Sequence, residues 1–356
     1  MLTSWSLAGY RSIADATLPL ARTSVVVGPN GSGKSNLYRG LTLLGSAATG
    51  ALAREFAAEG GFGSALWAGP RGKGPVRMRL SASWDDLTYT LELGLPSPDS
   101  PFPRDPVVKA ETVVDVRSGV PLAERRGGSA MVRDEEGQAQ SYPFDIWSAE
   151  SILAQIIDPR RLPVLSDVRD RILSWRSYHH FRTDPAAPMR QPRTLSFMPV
   201  LDPHGADLAA ALHTITEVGD DHALATAVEA AFPGCRAFVD VDGRGQGLVM
   251  LNRPGLRRPL AAAELSDGTL RFLCLAVALL SPRPPQLLAL NEPETSLHEE
   301  LLPALSQLLA MASDRSQLWI TTHSQILAET LAQTSGCIVS RVHLDAGRSQ
   351  VVTDRY

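Results

Sequence analysis

Two glycines, a lysine and a serine stand at fixed spacing in the segment GPNGSGKSN at residues 28–36. The spacing Gly28, Gly33, Lys34 and Ser35 matches a phosphate-binding loop, in which backbone N–H groups turn inward onto phosphate oxygens. The lysine adds a positive charge, and the serine hydroxyl reaches Mg²⁺. The segment therefore predicts a nucleotide site, with phosphate or nucleotide contacts expected from Gly28, Pro29, Asn30, Gly31, Ser32, Gly33, Lys34, Ser35 and Asn36.

The residues around this loop provide the elements that it needs. Val25, Val26 and Val27 predict a buried strand before the loop, and residues 36–44 predict an amphipathic helix after it. A glycine-rich turn arising by chance is the alternative. Lysine is rare in this chain, however: Lys34 is one of only three, with Lys73 and Lys109. A functional phosphate site is the better interpretation.

Three further polar clusters lie near the C-terminus, at LSDGT (265–269), LLALNEPE (287–294) and WITTHS (319–324). The last two end apolar segments that predict strands, and each precedes a helical pattern. Alternating strands and helices predict an α/β fold with a mostly parallel sheet, whose ligands gather at the carboxyl ends of the strands. Taken singly, each cluster has a simpler explanation: Ser266 and Asp267 as helix N-caps, Glu292 and Glu294 as a solvated strand end, and His323 as a cap beside Ser324.

Other segments predict the remaining elements. Residues 76–94 alternate about a DD turn and predict an antiparallel hairpin, followed by a proline-rich connection. Residues 109–118 predict a further strand. Residues 149–176 and 206–232 are helical in pattern, and the segments CIVSRVHL and SQVVTDRY predict closing strands. No heptad run typical of a long coiled coil occurs.

Composition limits the class of protein. With 356 residues and 44% hydrophobic content, the chain can bury a full core, and its net charge of −4 excludes a globally basic nucleic-acid binder. Its longest apolar run, residues 273–280, is too short to span a bilayer, and the N-terminus has no secretory pattern. The scattered cysteines, Cys235, Cys274 and Cys337, predict buried free thiols. We expect a cytoplasmic protein.

The four motifs GPNGSGKS, LSDGT, LLALNEPE and WITTHS, in this order, resemble the ABC-type ATPase head shared by structural maintenance of chromosomes (SMC) proteins, RecF and OLD-family ATPases. The segment NEPETSLH at 291–298, together with SWRSYHHF at 174–181, most resembles the sequences of bacterial AAA-type ATPases grouped with OLD-like proteins. The resemblance implies a P-loop NTPase fold with a mostly parallel sheet, an antiparallel β hairpin region and a helical insertion. It covers both ends of the chain well and the middle poorly.

The same resemblance implies roles for individual residues. Residues 28–35 would be Walker A, and Ser266 with Gly268 would be the signature motif that contacts a nucleotide bound to the opposite subunit. Glu292 would be the catalytic base, and His323 the switch histidine. Ser35 and Asn291 would bind the Mg²⁺ ion. Two departures stand out: Asp267 replaces a glycine common in these families, and Asn291 replaces the expected Walker B aspartate.

Three assignments outside the main motifs stay open. Gln155 is a candidate glutamine-loop residue or a helix-surface glutamine, and Arg11 is either near the nucleotide or a surface arginine. Residues 158–193 combine many arginines with a set of aromatic and imidazole side chains, a mixture that can bind nucleic-acid phosphates and stack bases. This set is Trp175, Tyr178, His179 and His180. A solvated arginine-rich face, diluted by aspartates, is the more usual outcome.

The expected organisation is an ATPase head in two parts, residues 1–95 and 235–356, around an insertion at 96–234 that is loop-rich and then helical. Because the chain ends soon after its last strand motif, we expect no appended Toprim nuclease domain.

The predicted function is a Mg·ATP-dependent ATPase that dimerises head to head and acts on a partner protein or DNA, in repair or anti-phage defence. A regulatory nucleotide-binding module with poor hydrolysis is the alternative. LSDGT and TTHS argue against a small-molecule kinase, and the N-terminal segment against a transporter subunit.

Overall fold

The computed structural model describes residues 1–355 except 71, 135–136, 144 and 334–335. The chain forms two compact units, one of residues 1–175 with 338–356 and the other of residues 176–337. The strands assigned to the first unit are β1 (Leu2–Tyr10), β2 (Ile13–Pro19), β3 (Thr23–Val27), β4 (Arg77–Trp84), β5 (Leu87–Gly94), β6 (Val107–Asp115), β7 (Pro121–Arg126), β8 (Ser129–Arg133) and β9 (Ala139–Ser141), with β17 (Cys337–Asp345) and β18 (Arg348–Arg355) near the end of the chain.

An eight-stranded antiparallel sheet dominates the first unit. Its order is β2-β1-β4-β5-β6-β7-β8-β9, in which every pair of neighbours is antiparallel. Strands β4 and β5 alternate between buried and more exposed positions, as expected when one face of a sheet covers a core. The predicted hairpin at 76–94 is confirmed, and it is one part of a larger antiparallel sheet than the sequence indicates.

The remaining elements of the first unit surround the glycine-rich loop. Helices α1 (Lys34–Ala48), α2 (Leu52–Ala58), α3 (Phe62–Ala65), α4 (Ile152–Gln155) and α5 (Pro163–Leu173) belong to this unit. All five residues of β3 are buried, as in a strand covered on both faces. Strand β3 is hydrogen-bonded to β17, and β17 pairs antiparallel with β18. Helix α1 packs on α4 and α5, so the loop between β3 and α1 has a rigid base.

Three parallel strands form the core of the second unit. Strand β10 (Arg176–Tyr178) pairs with β15 (Leu287–Asn291), which pairs with β16 (Gln317–Thr322), and every residue of the last two is buried. The other strands are β11 (Arg193–Thr194), β12 (Arg236–Val241), β13 (Gln246–Asn252) and β14 (Leu260–Ala261), which form a second, antiparallel sheet around β13.

The helices of the second unit are α6 (Leu208–Val218), α7 (Asp221–Ala231), α8 (Asp267–Leu279), α9 (Leu302–Ser313) and α10 (Gln325–Ala332), with short 3₁₀ turns at Pro188–Arg190, Ala262–Glu264 and Glu299–Leu301. Helix α8 packs against α6, α7 and α9 and is almost wholly buried after its first turn. It is therefore a core helix whose N-terminus alone reaches the surface.

The structure confirms the predicted α/β class, the helices at 206–232 and the closing strands, although Tyr356 of SQVVTDRY lies outside the described residues. The predicted helical region at 149–176 contains two helices with a break between them. Division of the chain at residues 95 and 234 remains a prediction. The three cysteines are buried free thiols, as expected. Among the described residues, no helix is both long and apolar enough to cross a membrane.

Candidate functional site

The loop between β3 and α1 has a backbone that only glycine supports at several positions. Gly31 and Gly33 have φ angles of 79° and 107°, in the left-handed region. A Cβ atom on Gly28 would lie 2.3 Å from the carbonyl oxygen of Val342, and one on Gly33 would lie 2.1 Å from Ser349 Oγ. The glycines predicted to cradle phosphate are therefore required by the local fold. The loop opens onto the N-terminus of α1, where helix amide groups favour an anion.

Lys34 is buried at the start of α1, with 3% of its surface exposed. Its Nζ donates to the carbonyl oxygens of Gly28, at 2.7 Å, and Pro29, at 3.1 Å. The ammonium group thus lies across the mouth of the loop. By contrast, Pro29, Asn30, Gly31 and Ser35 are exposed around it.

A hydrogen-bonded chain of side chains supports this loop from the strands beside it. Asn36 Nδ2 donates to Ser12 Oγ at 2.8 Å, and Ser12 Oγ lies 2.8 Å from Ser349 Oγ. Ser349 Oγ in turn donates to the carbonyl oxygen of Ser32 at 2.7 Å. Sequence reasoning identified Asn36 but not Ser12 or Ser349, because both partners are remote along the chain and lack a motif. These contacts fix the loop in its open cradle shape.

Asn291 and Glu292 follow β15 at the carboxyl edge of the parallel strands. Asn291 is buried, and its Oδ1 accepts a hydrogen bond from Thr321 Oγ1 at 2.9 Å. Glu292 has a φ of 47°, a conformation that costs a non-glycine residue about 1–3 kcal/mol. Its amide donates to the carbonyl oxygen of Thr321 at 2.8 Å. The end of β16 thus holds Glu292 in a strained geometry.

Glu294 organises the residues that follow β16. Its Oε1 accepts from Thr322 Oγ1 at 2.5 Å, from the His323 amide at 3.0 Å and from the Ser324 amide at 3.3 Å. Glu294 is only 6% exposed, so it is no solvated strand end. Sequence reasoning assigned it no role, although a second carboxylate two residues after Glu292 was a signal. The buried carboxylate fixes the TTHS turn against the end of β15.

His323 lies between two carboxylates. Its Nδ1 is 3.2 Å from Glu294 Oε1 and 3.9 Å from Glu292 Oε2. The imidazole is about half exposed, whereas the Glu292 side chain is 26% exposed. The structure therefore brings Asn291 and Glu292, at the end of β15, together with His323, which follows β16.

The remaining predicted residues of the second unit lie at the start of α8. Ser266 is the N-cap, and its Oγ accepts from the Thr269 amide at 3.2 Å. A Cβ on Gly268 would lie 3.0 Å from the carbonyl oxygen of Ser296. One turn into the helix, buried Arg271 donates to the carbonyl oxygen of Glu292 at 3.2 Å, and burial lowers the pKa of this guanidinium. Arg271, which sequence reasoning missed, connects the helix to the strained glutamate.

Comparison with known proteins agrees with this arrangement. Residues 24–329 match the family model described as "AAA domain, putative AbiEii toxin, Type IV TA system". The chain belongs to this AAA-domain family. Among curated proteins, no match is found.

Two solved structures show the fold of this AAA-domain protein. One is an Smc head bound to the C-winged helix domain of ScpA, with a TM-score of 0.56, 15% identity and coverage of 99% of this chain and 98% of that one. The other is an Smc head domain with an extended coiled coil bound to the C-terminal domain of ScpA, from Pyrococcus furiosus, with a TM-score of 0.56, 14% identity and coverage of 99% and 96%. The fold is that of an ABC-type, SMC-like P-loop ATPase head, a nucleotide-binding fold.

In this AAA-domain protein, the side chains of Gln155 and Arg11 both form contacts with residues close to them in the first unit. Gln155 Nε2 donates to the carbonyl oxygens of Trp147 and Glu150, and its Oε1 accepts from the Trp147 amide, so the side chain fixes the turn at 147–150. Arg11 forms an ion pair with Glu59 at 2.8 Å and has a φ of 48°. Both side chains are engaged in the first unit by residues outside the glycine-rich loop.

Aspartates pair with some arginines of the arginine-rich stretch. Arg171 pairs with Asp86 and Asp167, and Arg182 pairs with Asp184. Tyr178 is buried and donates to the carbonyl oxygen of Leu201, so its ring is not placed to stack a base. Arg160 and Arg161 are exposed, beside a cleft of about 690 Å³ in the first unit that is lined by Tyr142 and Ile157.

Proposed function

We propose that this AAA-domain protein is a Mg²⁺-dependent ATPase that hydrolyses ATP to ADP and phosphate. The strained Glu292 carries the proposal. Its left-handed φ of 47° is maintained by the Thr321 carbonyl directly after a fully buried strand, and such strain persists where the surrounding structure enforces it, often at active sites. Its carboxylate is partly exposed and lies 3.9 Å from His323 Nδ1, a placement that suits a general base for water.

The loop at residues 28–36 fits the phosphates of a nucleotide. The cradle lies where Cβ atoms on Gly28 and Gly33 would collide with their surroundings, and Lys34 already spans its mouth. Ser32 Oγ is buried and has no hydrogen-bond partner among the described residues. These features suit a group that accepts many hydrogen bonds and carries negative charge.

Mg²⁺ would be held by Ser35 and, through its amide oxygen, by Asn291. No cluster of three or more His, Cys, Asp or Glu side chains suited to a metal occurs in the described part of the chain. A site for Mg²⁺ that relies on a hydroxyl, an amide, water and phosphate oxygens agrees with the preference of this ion for few protein ligands. When bound, the ion would neutralise phosphate charge during transfer to water.

The residues around β15 and β16 would then divide the chemistry. Glu292 would orient the attacking water and take its proton. His323 would sense or stabilise the transferring group, held by Glu294 so that its ring stays beside Glu292. Positioning and electrostatics, without a covalent enzyme intermediate, would supply the rate enhancement.

We further propose that two copies dimerise head to head, with Ser266 and Gly268 of one copy contacting ATP bound to the other. The support is the resemblance to ABC-type heads together with an α8 N-terminus that presents a hydroxyl and helix amides at the surface. Hydrolysis would act on a partner protein or on DNA, in repair or anti-phage defence.

A regulatory nucleotide-binding module with slow hydrolysis is the second candidate. One observation favours it: Asn291 brings no charge to the metal, and its Oδ1 already accepts a hydrogen bond from Thr321. In this alternative, nucleotide binding alone would control a neighbouring effector.

ATP turnover of the purified protein, measured with and without Mg²⁺ and with and without DNA, distinguishes the two candidates. The ATPase proposal expects Mg²⁺-dependent turnover that Glu292→Gln nearly stops while nucleotide binding is retained. Tight ATP binding with no turnover in the parent would support the regulatory module, and stimulation by DNA would identify the coupled partner.

A further inference from the structure

Arg190 is a buried arginine whose contacts all lead to the turn before α8. It belongs to the 3₁₀ turn Pro188–Arg190, and only 8% of its surface is exposed. Its Nη1 contacts three carbonyl oxygens, those of Ala262 at 3.0 Å, Ala263 at 3.3 Å and Leu265 at 2.8 Å. These carbonyls belong to the turn that leads directly into the N-cap, Ser266.

The same guanidinium pairs with the first residue of α8. Arg190 Nη2 donates to Asp267 Oδ1 at 2.7 Å, while Nε donates to the carbonyl oxygen of Thr183 at 2.9 Å. The Asp267 side chain is 61% exposed, so it stays in contact with water. One buried cation therefore holds both the turn and the carboxylate.

The Asp267 carboxylate places a negative charge at the end of α8 that is proposed to bind phosphate. An acidic residue in the first turn stabilises a helix by interacting with its positive end. For that reason, a carboxylate there also competes with any other anion for the same end of the helix. If α8 receives a phosphate, as proposed above, an uncompensated Asp267 would repel it.

We propose that Arg190 is a positioning and charge-compensating residue that makes the α8 N-terminus accept nucleotide phosphate despite Asp267. The inference rests on the proposed head-to-head function and adds a residue to it. By neutralising Asp267, Arg190 leaves the helix amides and Ser266 as the dominant attraction for the anion. By binding the carbonyls at 262, 263 and 265, it sets where Ser266 lies.

The test measures ATP-dependent dimerisation in a Glu292→Gln background by sedimentation equilibrium. Arg190→Gln should raise the dimer Kd by about 10-fold or more, because one negative charge is left beside the phosphate. Adding Asp267→Asn to Arg190→Gln should lower the Kd again by about 3-fold or more, since both charges are then gone, while the lost contacts to the turn carbonyls leave a residual defect. Arg182→Gln, which removes an exposed arginine from a pair with Asp184, is the matched control and should have no effect.

The single variant Asp267→Asn tests the same charge effect while keeping the buried Arg190. It should tighten the dimer by about 3-fold at low salt, with the gain lost at high salt, because Arg190 is then a net positive charge. Unchanged or weaker dimerisation of this variant would overturn the inference. So would an Arg190→Gln defect that Asp267→Asn fails to rescue, which would mark Arg190 as merely structural.

Two further measurements separate this inference from the function on which it rests. Fluorescent ATP-analogue binding to the monomer should be the same in all variants, and thermal unfolding shows whether Arg190→Gln folds. If the Glu292→Gln background binds the analogue but stays monomeric, the head-to-head proposal is wrong, and so is the role proposed for Arg190. If the background dimerises and Arg190→Gln matches it, only the role of Arg190 is wrong.

Discussion

Glu294 holds His323 at the end of β16: its Oε1 lies 3.2 Å from His323 Nδ1 and 3.0 Å from the backbone nitrogen of the same residue. Glu292 Oε2 is farther from the same ring, at 3.9 Å. The buried carboxylate thus fixes both the main chain and the ring of the histidine.

Glu294→Gln and Glu294→Ala should separate these two effects. The glutamine variant keeps an acceptor for the amides of His323 and Ser324 and should stay within about 1 kcal/mol of the parent in stability. It loses the charge beside His323, however, so ATP turnover should fall. The alanine variant leaves buried donors unpaired and should lose about 2–4 kcal/mol of unfolding free energy. Urea unfolding and turnover of both variants check this; equal stability of the two would contradict it.

Lys34→Ala should weaken nucleotide binding by at least about 10-fold, as expected for the loss of charge-assisted bonds worth about 1.5–3 kcal/mol each. The variant removes the only lysine of the loop and its contacts to Gly28 and Pro29. Lys73→Ala, which removes an exposed lysine, is the control. Equilibrium binding of a fluorescent ATP analogue measures both. Parent-like affinity and turnover in Lys34→Ala would show that the loop is not the nucleotide site.

Asn291→Asp should lower the Mg²⁺ concentration needed for half-maximal hydrolysis, because the substitution adds a negative charge to an oxygen of the same reach. The same change buries a carboxylate close to Glu292 and Glu294. Without Mg²⁺ and ATP, the variant should therefore be less stable than the parent, by about 1–3 kcal/mol. Mg²⁺ titrations that superimpose for parent and variant would remove Asn291 from the metal site.

The ion pair between Asp86 and Arg171 makes the free energy of unfolding depend on pH in the acid range. Two hydrogen bonds from the Arg171 guanidinium, at 2.6 and 2.7 Å, lower the pKa of Asp86 to about 2. Because the pKa is lower in the folded state, the pair stabilises the protein above the unfolded pKa near 3.8 and loses this effect as pH falls toward 2. The half-exposed carboxylate limits the contribution to about 1 kcal/mol.

Asp86→Asn should therefore lower the unfolding free energy at pH 5 and reduce the difference between parent and variant by pH 3. Asp85→Asn, in the same turn, is the matched control because its partner is the N-terminal amino group. Urea denaturation at the two pH values measures the effect. A difference between parent and Asp86→Asn that is the same at both values would exclude the Arg171 pair as its cause.

Local patterns predicted much of this protein. The strand of valines before Gly28, the buried strands at 287–291 and 317–322 and the helix after LSDGT all follow from apolar runs bounded by polar clusters. The antiparallel sheet was underestimated, because its pairings join strands such as β1 and β4 across many residues of chain. Periodicity identifies strands but not their distant partners.

The site was predicted as a set of motifs and not as a network. Glu294, Arg271 and Arg190 act through burial and through contacts with backbone carbonyls or amides, and no short pattern encodes such contacts. Tyr178 shows the opposite error, since an aromatic among arginines suggested a nucleic-acid surface, yet its ring is buried and its hydroxyl binds Leu201. The individual catalytic and metal roles remain predictions.

The mass of the Glu292→Gln variant in solution, measured by light scattering with and without Mg·ATP, tests the central claim most directly. The proposed composite site requires a monomer without nucleotide and a dimer with Mg·ATP, because blocked hydrolysis traps ATP between two heads. Ser266→Arg, placed in the same background, should return the mass to that of a monomer, since the α8 N-terminus can then no longer approach the opposite nucleotide. A single mass for both variants, with and without Mg·ATP, would contradict the account.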